Sequence, residues 1–268
     1  MKDYGKHNVA GILIDAVDYD AAVERIFRAA HAGEPYGVSA LAVHGVMTGV
    51  LDKTHKYRLN RLELVVPDGQ PVRWALNLLH GLDLSSRVYG PELMLRVCER
   101  AAREKVPIYL YGSRPVVLDA LAERLVAKMP GLVIAGKRPS LFRTTTAEEK
   151  AEIIADIKAS GAKILFVGLG CPRQEVWAYE YREALSMPVL AVGAAFDFHA
   201  GLLRQAPKQL QDVGLEWLFR LAIEPKRLWR RYLYLNPAYV ASIALQKSGL
   251  WRPDPQAATA PREEQNFG

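Results

Sequence analysis

With 268 residues, half of them hydrophobic, the chain has ample apolar material for one large packed domain, with or without an appendage, and is too apolar for global disorder. A formal charge of +6 favours anionic partners such as phosphates, acidic lipids or nucleic acid, without choosing among them. The two cysteines, Cys98 and Cys171, have no metal-site spacing and make no disulfide framework, which suits a reducing cytosol. No stretch approaches the roughly 18 apolar residues of a membrane-spanning helix, and the first 20 residues make a poor secretory signal. Any membrane contact is therefore expected to be peripheral.

Short apolar runs alternate with amphipathic segments along most of the chain. Residues 9–14 (VAGILI) read as a strand and 18–32 as a helix with Ala21, Ala22, Ile26 and Ala29 on one face. A second strand falls within 37–45, followed by a helix. LELVVP is a strand and 70–80 a helix, with a further helix over 91–104. Then come VPIYLYG, a helix over 115–128, LVIAG, a helix over 147–160, AKILFVGLG, a helix over 173–185, and MPVLAVGAAFDF. Strands separated by helices indicate a parallel sheet covered on both faces. The fold class is α/β, Rossmann-like, over 1–207.

After residue 208 the strand signal disappears. Residues 208–252 read as two or three helices punctuated by Pro225 and Pro237. They hold eight Lys or Arg against three acids, interleaved with Trp217, Phe219, Trp229, Tyr232 and Tyr234. Such a basic-aromatic appendage fits a peripheral membrane contact or a lipid-pyrophosphate site. Nucleic acid is disfavoured, since no recognised module accompanies the charge. Residues 253–268 are Pro/Ala/Gln-rich and are expected to be disordered.

Ligands bind beyond the carboxyl ends of strands in such sheets, so the strand ends are the places to search. In VVPDGQPV, Asp68 ends a strand and precedes a helix; it could cap that helix or act as a catalytic base. Gly112 in YLYGS and Gly168 and Gly170 in VGLGCPRQE sit in strand–turn–helix units that could cradle a phosphate. Gln174 and Glu175 open the following helix. Glu175 could complement the helix dipole, and Gln174 could bind a sugar. Arg87 could pair with a pyrophosphate. His44 and His199 have the right chemistry for general bases, although a lone His is more often structural. Arg220, Arg227 and Arg230 would share one helical face if the helix ran through Pro225.

VVPDGQPVRWALNLL, RVYGPELM, YLYGS, ILFVGLGCPRQEVW, AVGAAFDFHAG and GLEWLFRLAIEPKRLWRRY occur in that order. The ordered set resembles the WecG/TagA/CpsF family of bacterial glycosyltransferases (glycosyltransferase family 26) over nearly the whole chain. The resemblance implies an inverting transfer of a sugar, of N-acetylmannosamine or glucose type, from a UDP-sugar to a polyprenyl-diphosphate-linked acceptor at the cytoplasmic face of the membrane. Teichoic acid linkage units and exopolysaccharides are products of such members. No metal cofactor is expected, and a homo-oligomer is left open. Position by position, Asp68 matches the base, Arg87 an arginine near the donor and Gln174 the glutamine of the GLG motif. Arg220, Arg227 and Arg230 match appendage arginines that bind phosphates. One departure stands out: Ala40 and Ala42 replace the Thr-x-Asn of many members, with Ser39 and His44 as the nearby polar candidates. Other classes consistent with the residues alone are a nucleotide-dependent oxidoreductase, disfavoured by the lack of GxGxxG, and a non-catalytic lipid- or nucleic-acid-binding module.

Overall fold

A computed structural model describes residues 1–268. The chain begins with β1 (Asp3–Val9), β2 (Ile12–Val17), α1 (Tyr19–Ala32), β3 (Tyr36–Leu41), α2 (Val43–Leu51), α3 (Lys53–Leu59), β4 (Leu64–Pro67), α4 (Gln70–His80) and α5 (Gly90–Glu104). It continues through β5 (Ile108–Gly112), α6 (Pro115–Lys128), β6 (Ile134–Arg138), α7 (Ala147–Ala159), β7 (Ile164–Gly168), α8 (Arg173–Leu185), β8 (Pro188–Ala191) and α9 (Ala195–His199). It closes with α10 (Lys208–Asp212), α11 (Glu216–Ile223) and α12 (Pro225–Lys247). Six strands form a wholly parallel sheet in the order β4-β3-β8-β7-β5-β6. Side chains alternate across it. Leu64, Val66, Ile108, Leu110, Ile164, Phe166 and Leu190 face a core shared with α1, α5 and α6. Val65, Tyr109, Tyr111, Leu165, Val167 and Val189 face a second core shared with α7, α8 and α12.

Residues 9–14, read as one strand, instead bend at Ala10 and Gly11 (φ +55° and +91°) into an antiparallel β1–β2 hairpin. Positive φ at both central residues is what a two-residue hairpin turn needs. Apolar residues continue through the turn, so hydropathy carries no mark of it. The appendage also differs. Pro225 starts a new helix, with Glu224 breaking the path (φ −125°, ψ 53°), whereas Pro237 lies inside α12 without ending it.

The boundary at residue 208 does not separate two bodies. Tyr239 and Ile243 of α12 are buried in the second core, and the Tyr239 hydroxyl donates to the Pro71 carbonyl at 3.1 Å. A cut after Lys208 therefore removes part of that core. The tail expected to be disordered lies against the fold. Asn8 and Asn60 donate to the carbonyls of Pro253 and Pro255 at 2.7 and 3.0 Å. The backbone N–H groups of Gln265 and Asn266 donate to the Glu180 carboxylate. Composition registers apolar content, and polar hydrogen bonds hold this segment.

Candidate active site

Connections leave β5 toward β6 and β7 toward β8, in opposite directions, so a crevice opens beyond the carboxyl ends of the sheet. A cavity of about 860 Å³ occupies it. Its floor comes from the ends of β3, β4, β7 and β8. Its roof comes from α11 and from α12 as far as Val240.

Asp68 opens onto the cavity. It does not cap α4, the helix it precedes: that cap is Gly69, with no side-chain hydrogen bond. Instead its Oδ1 accepts the Gly90 N–H at 2.5 Å, at the first residue of α5. A carboxylate at that positive helix end is favoured. Gly90 permits the approach, since a Cβ there would lie 3.0 Å from the Ala40 Cβ and 3.2 Å from Asp68 Oδ1. Burial dominates the electrostatics of Asp68 and raises its pKa to about 6. Arg87, the Gly90 N–H and Arg220 oppose that rise, and Glu216 adds to it.

Arg87 lines the cavity and spans to the roof. It donates to Glu216 at 2.8 Å and Gln211 at 2.9 Å, and its guanidinium lies over the Tyr89 ring at 4.1 Å. The Tyr89 hydroxyl donates to the other Glu216 oxygen at 2.9 Å. One carboxylate from α11 thus holds two groups of the floor. Neither Tyr89 nor Glu216 is singled out by sequence patterning, because their contact joins residues 127 positions apart.

His44 lines the cavity and accepts from Arg231 at 2.7 Å. Burial, then Arg231 and His55, push its pKa down to about 3, so it is neutral and a poor base near neutral pH. His199 instead meets the Pro91 carbonyl through Nε2 at 2.8 Å and does not line the cavity. Ser39 does not line the cavity and donates to Glu175 at 3.5 Å. It therefore does not fill the place left by Ala40 and Ala42, which line the wall themselves.

Gly168 and Gly170 line the cavity and Gly112 does not. Gly112 has φ +104°, and a Cβ there would lie 2.9 Å from the Gly168 carbonyl oxygen, so it serves the close packing of the β5 and β7 ends. Gln174 faces the cavity while its Nε2 donates to Glu175 at 2.8 Å and its Oε1 accepts the Gly170 N–H at 3.1 Å. It braces the GLG turn.

Among the appendage arginines, Arg220 and Arg227 line the cavity and share Glu224, at 3.7 and 2.6 Å. Arg230 does not; it is exposed beside Trp229. The break at Glu224 resets the helical phase, so Arg227 and Arg231, four apart on α12, face inward together. Arg231 is the residue that a continuous helix from Arg220 hides. Six arginines line the cavity (87, 114, 173, 220, 227, 231), against five carboxylates (68, 175, 197, 216, 224). Burial pushes Asp68, Glu175 and Asp197 toward their neutral forms. The cavity therefore favours a polyanion.

A parallel α/β sheet with an arginine-rich cavity at its switch point, a strand-end aspartate and a helical roof defines an anion-binding, enzyme-type site. The chain belongs to the Glycosyl transferase WecG/TagA/CpsF family, which matches residues 7–253, and is a glycosyltransferase. It is similar to the N-acetylglucosaminyldiphosphoundecaprenol N-acetyl-beta-D-mannosaminyltransferase of Bacillus spizizenii, at 31% identity over 186 residues, which is 69% of this chain and 69% of that protein. Membership in this family removes the oxidoreductase and non-catalytic readings. No helix is long and apolar enough to cross a membrane.

Proposed function

We propose that the chain transfers a sugar, with inversion, from a UDP-sugar of N-acetylmannosamine or glucose type to a polyprenyl-diphosphate-linked acceptor ending in N-acetylglucosamine. The acceptor class follows the activity for which the Bacillus relative is named. The observation that carries the reading is Asp68, a carboxylate with a pKa near 6 at the floor of an arginine-lined cavity. A base with that pKa is ionised at neutral pH and retains proton affinity. Asp68 takes the proton of the acceptor hydroxyl as its oxygen bonds to the anomeric carbon. The bond from that carbon to the UDP oxygen breaks, and UDP leaves with the electron pair. Arg87, Arg220, Arg227 and Arg231 meet the charge that develops on the diphosphate, so the transfer needs no metal at that point. Exposed Leu218, Ile223, Trp229, Leu233 and Tyr234, with Lys226 and Arg230, give the roof an apolar, basic outer face for the inner leaflet of the cytoplasmic membrane. Teichoic acid or exopolysaccharide synthesis would then be the setting.

UDP release, measured across a panel of UDP-sugars with polyprenyl-diphosphate N-acetylglucosamine, tests the reading. At least one donor is expected to give acceptor-dependent release, with kcat/KM rising as pH increases through about 6 and levelling above it. No release with any UDP-sugar would end the proposal. Within the roof, Arg231→Ala is expected to weaken UDP binding by about tenfold or more, the scale of a lost charged hydrogen bond. Arg230→Ala is expected to leave UDP binding unchanged and to reduce sedimentation with anionic liposomes. Calorimetry and co-sedimentation separate the two.

A further inference from the structure

Behind the GLG turn three metal-ligating side chains converge that the transfer does not use as base or anion clamp. His55 of α3, Cys171 of the loop before α8, and Glu175 of the first turn of α8 offer ligand atoms all within 4.8 Å of one another. His55 and Glu175 are almost fully buried, at 2% and 1% exposure. Both ring nitrogens of His55 lack any hydrogen-bond partner, and so does Glu175 Oε2. Its Oε1 is already engaged by Gln174 and Ser39, which leaves Oε2 as the free ligand atom. Buried polar atoms are almost always satisfied, so three orphans beside a thiol call for a missing partner. Cys171 and Glu175 also line the cavity while His55 sits behind them, so the cluster opens on one side. Cys98 is elsewhere, within the apolar core of α5.

We infer that His55, Cys171 and Glu175 bind a zinc-class divalent cation, with a fourth position open to the cavity. Nitrogen, sulfur and carboxylate oxygen together are a borderline-soft donor set, which suits Zn²⁺ over Mg²⁺ or Ca²⁺. Because no two ligand atoms are more than 4.8 Å apart, an ion at their centre lies within about 2.8 Å of each. Ligand distances of about 2.0 to 2.3 Å then need inward side-chain shifts of roughly half an ångström or slightly more. The ion would tie α3 to the Cys171 loop and, through Glu175, to Gln174 and the GLG turn. It is a positioning ion, and the base and the anion clamp are other residues.

Chelator-treated full-length protein titrated with Co²⁺ tests the site without reference to turnover. One equivalent is expected to give tetrahedral ligand-field bands with a thiolate-to-cobalt charge-transfer band, all displaced by Zn²⁺. Cys171→Ser should remove the charge-transfer band, while Cys98→Ser should keep it. Zn²⁺ should raise the thermal midpoint of the wild type and of Cys98→Ser, and not that of Cys171→Ser. His55→Gln should weaken Co²⁺ binding by at least about tenfold; if that variant does not fold, the near-isosteric Cys171→Ser decides. Wild-type protein without the charge-transfer band, weak octahedral spectra alone, or a band that survives Cys171→Ser would each overturn the inference.

Discussion

Asp68→Asn is expected to lower transfer by about 100- to 10,000-fold, the range associated with a lost general base, while making the protein more stable at neutral pH. The amide oxygen can still accept the Gly90 N–H, so the local hydrogen bond is kept. What disappears is a carboxylate whose ionisation folding opposes. Burial is the chief cause that raises its pKa from the ordinary carboxylate range to about 6. For a group raised in the folded state, the favourable contribution is complete below the unfolded pKa. It is lost as pH climbs through the folded one. Above about pH 6 the native carboxylate therefore weakens the fold, by up to roughly 3 kcal/mol at about 1.4 kcal/mol per pK unit. Asn avoids that term. Thermal unfolding should show the variant ahead at pH 7 to 8 and the gap closing toward pH 4. A destabilised variant that keeps full turnover per folded molecule would assign Asp68 to structure.

Arg87→Ala carries the second large effect, and on two quantities at once. The Arg87–Glu216 pair is nearly buried, with side chains 10% and 13% exposed. Removing one partner leaves a charge without compensation, a loss of about 3 to 5 kcal/mol in such settings. Turnover should drop about 100- to 1,000-fold, the scale of a lost anion-stabilising group. Adding Glu216→Gln to Arg87→Ala separates the two roles. The double variant no longer buries a lone carboxylate, so its thermal midpoint should recover much of the loss. Its kcat/KM should not, because the diphosphate has still lost its guanidinium. Activity returning together with stability would reduce Arg87 to a clasp between floor and roof.

The sheet was legible because each buried strand is a short apolar run bounded by helical periodicity. The helices 70–80, 115–128 and 173–185 fall where proline and glycine punctuation places them. Elements with weak contrast escaped. The turn at Ala10–Gly11 sits among apolar residues, and α3 (Lys53–Leu59) is short and largely polar. Within the cavity, Asp68, Arg87, Gln174, Arg220 and Arg227 could be placed from strand ends and motif order. The exchange of Arg230 for Arg231 could not, because it depends on the backbone angles of one residue, Glu224. Tyr89, Glu216 and the His55–Cys171–Glu175 cluster are assembled by tertiary packing. No local pattern brings α3, a loop over a hundred residues later and α8 to one point.

The hairpin at the start of the chain is finished by residues near its end. Gln246 of α12 accepts the Ala10 N–H and donates to the Asn8 carbonyl, across 236 and 238 positions, and Asn8 also reaches Pro253. During synthesis β1 and β2 emerge more than 200 residues ahead of their outer partner. A nascent chain stalled before α12 holds the sheet with Tyr239 and Ile243 missing from its second core, leaving apolar surface open. Closure with such long loops is slow relative to local helix formation. The roof over the catalytic cavity belongs to that same late segment, so the anion clamp of Arg220, Arg227 and Arg231 is assembled only once α11 and α12 have left the ribosome.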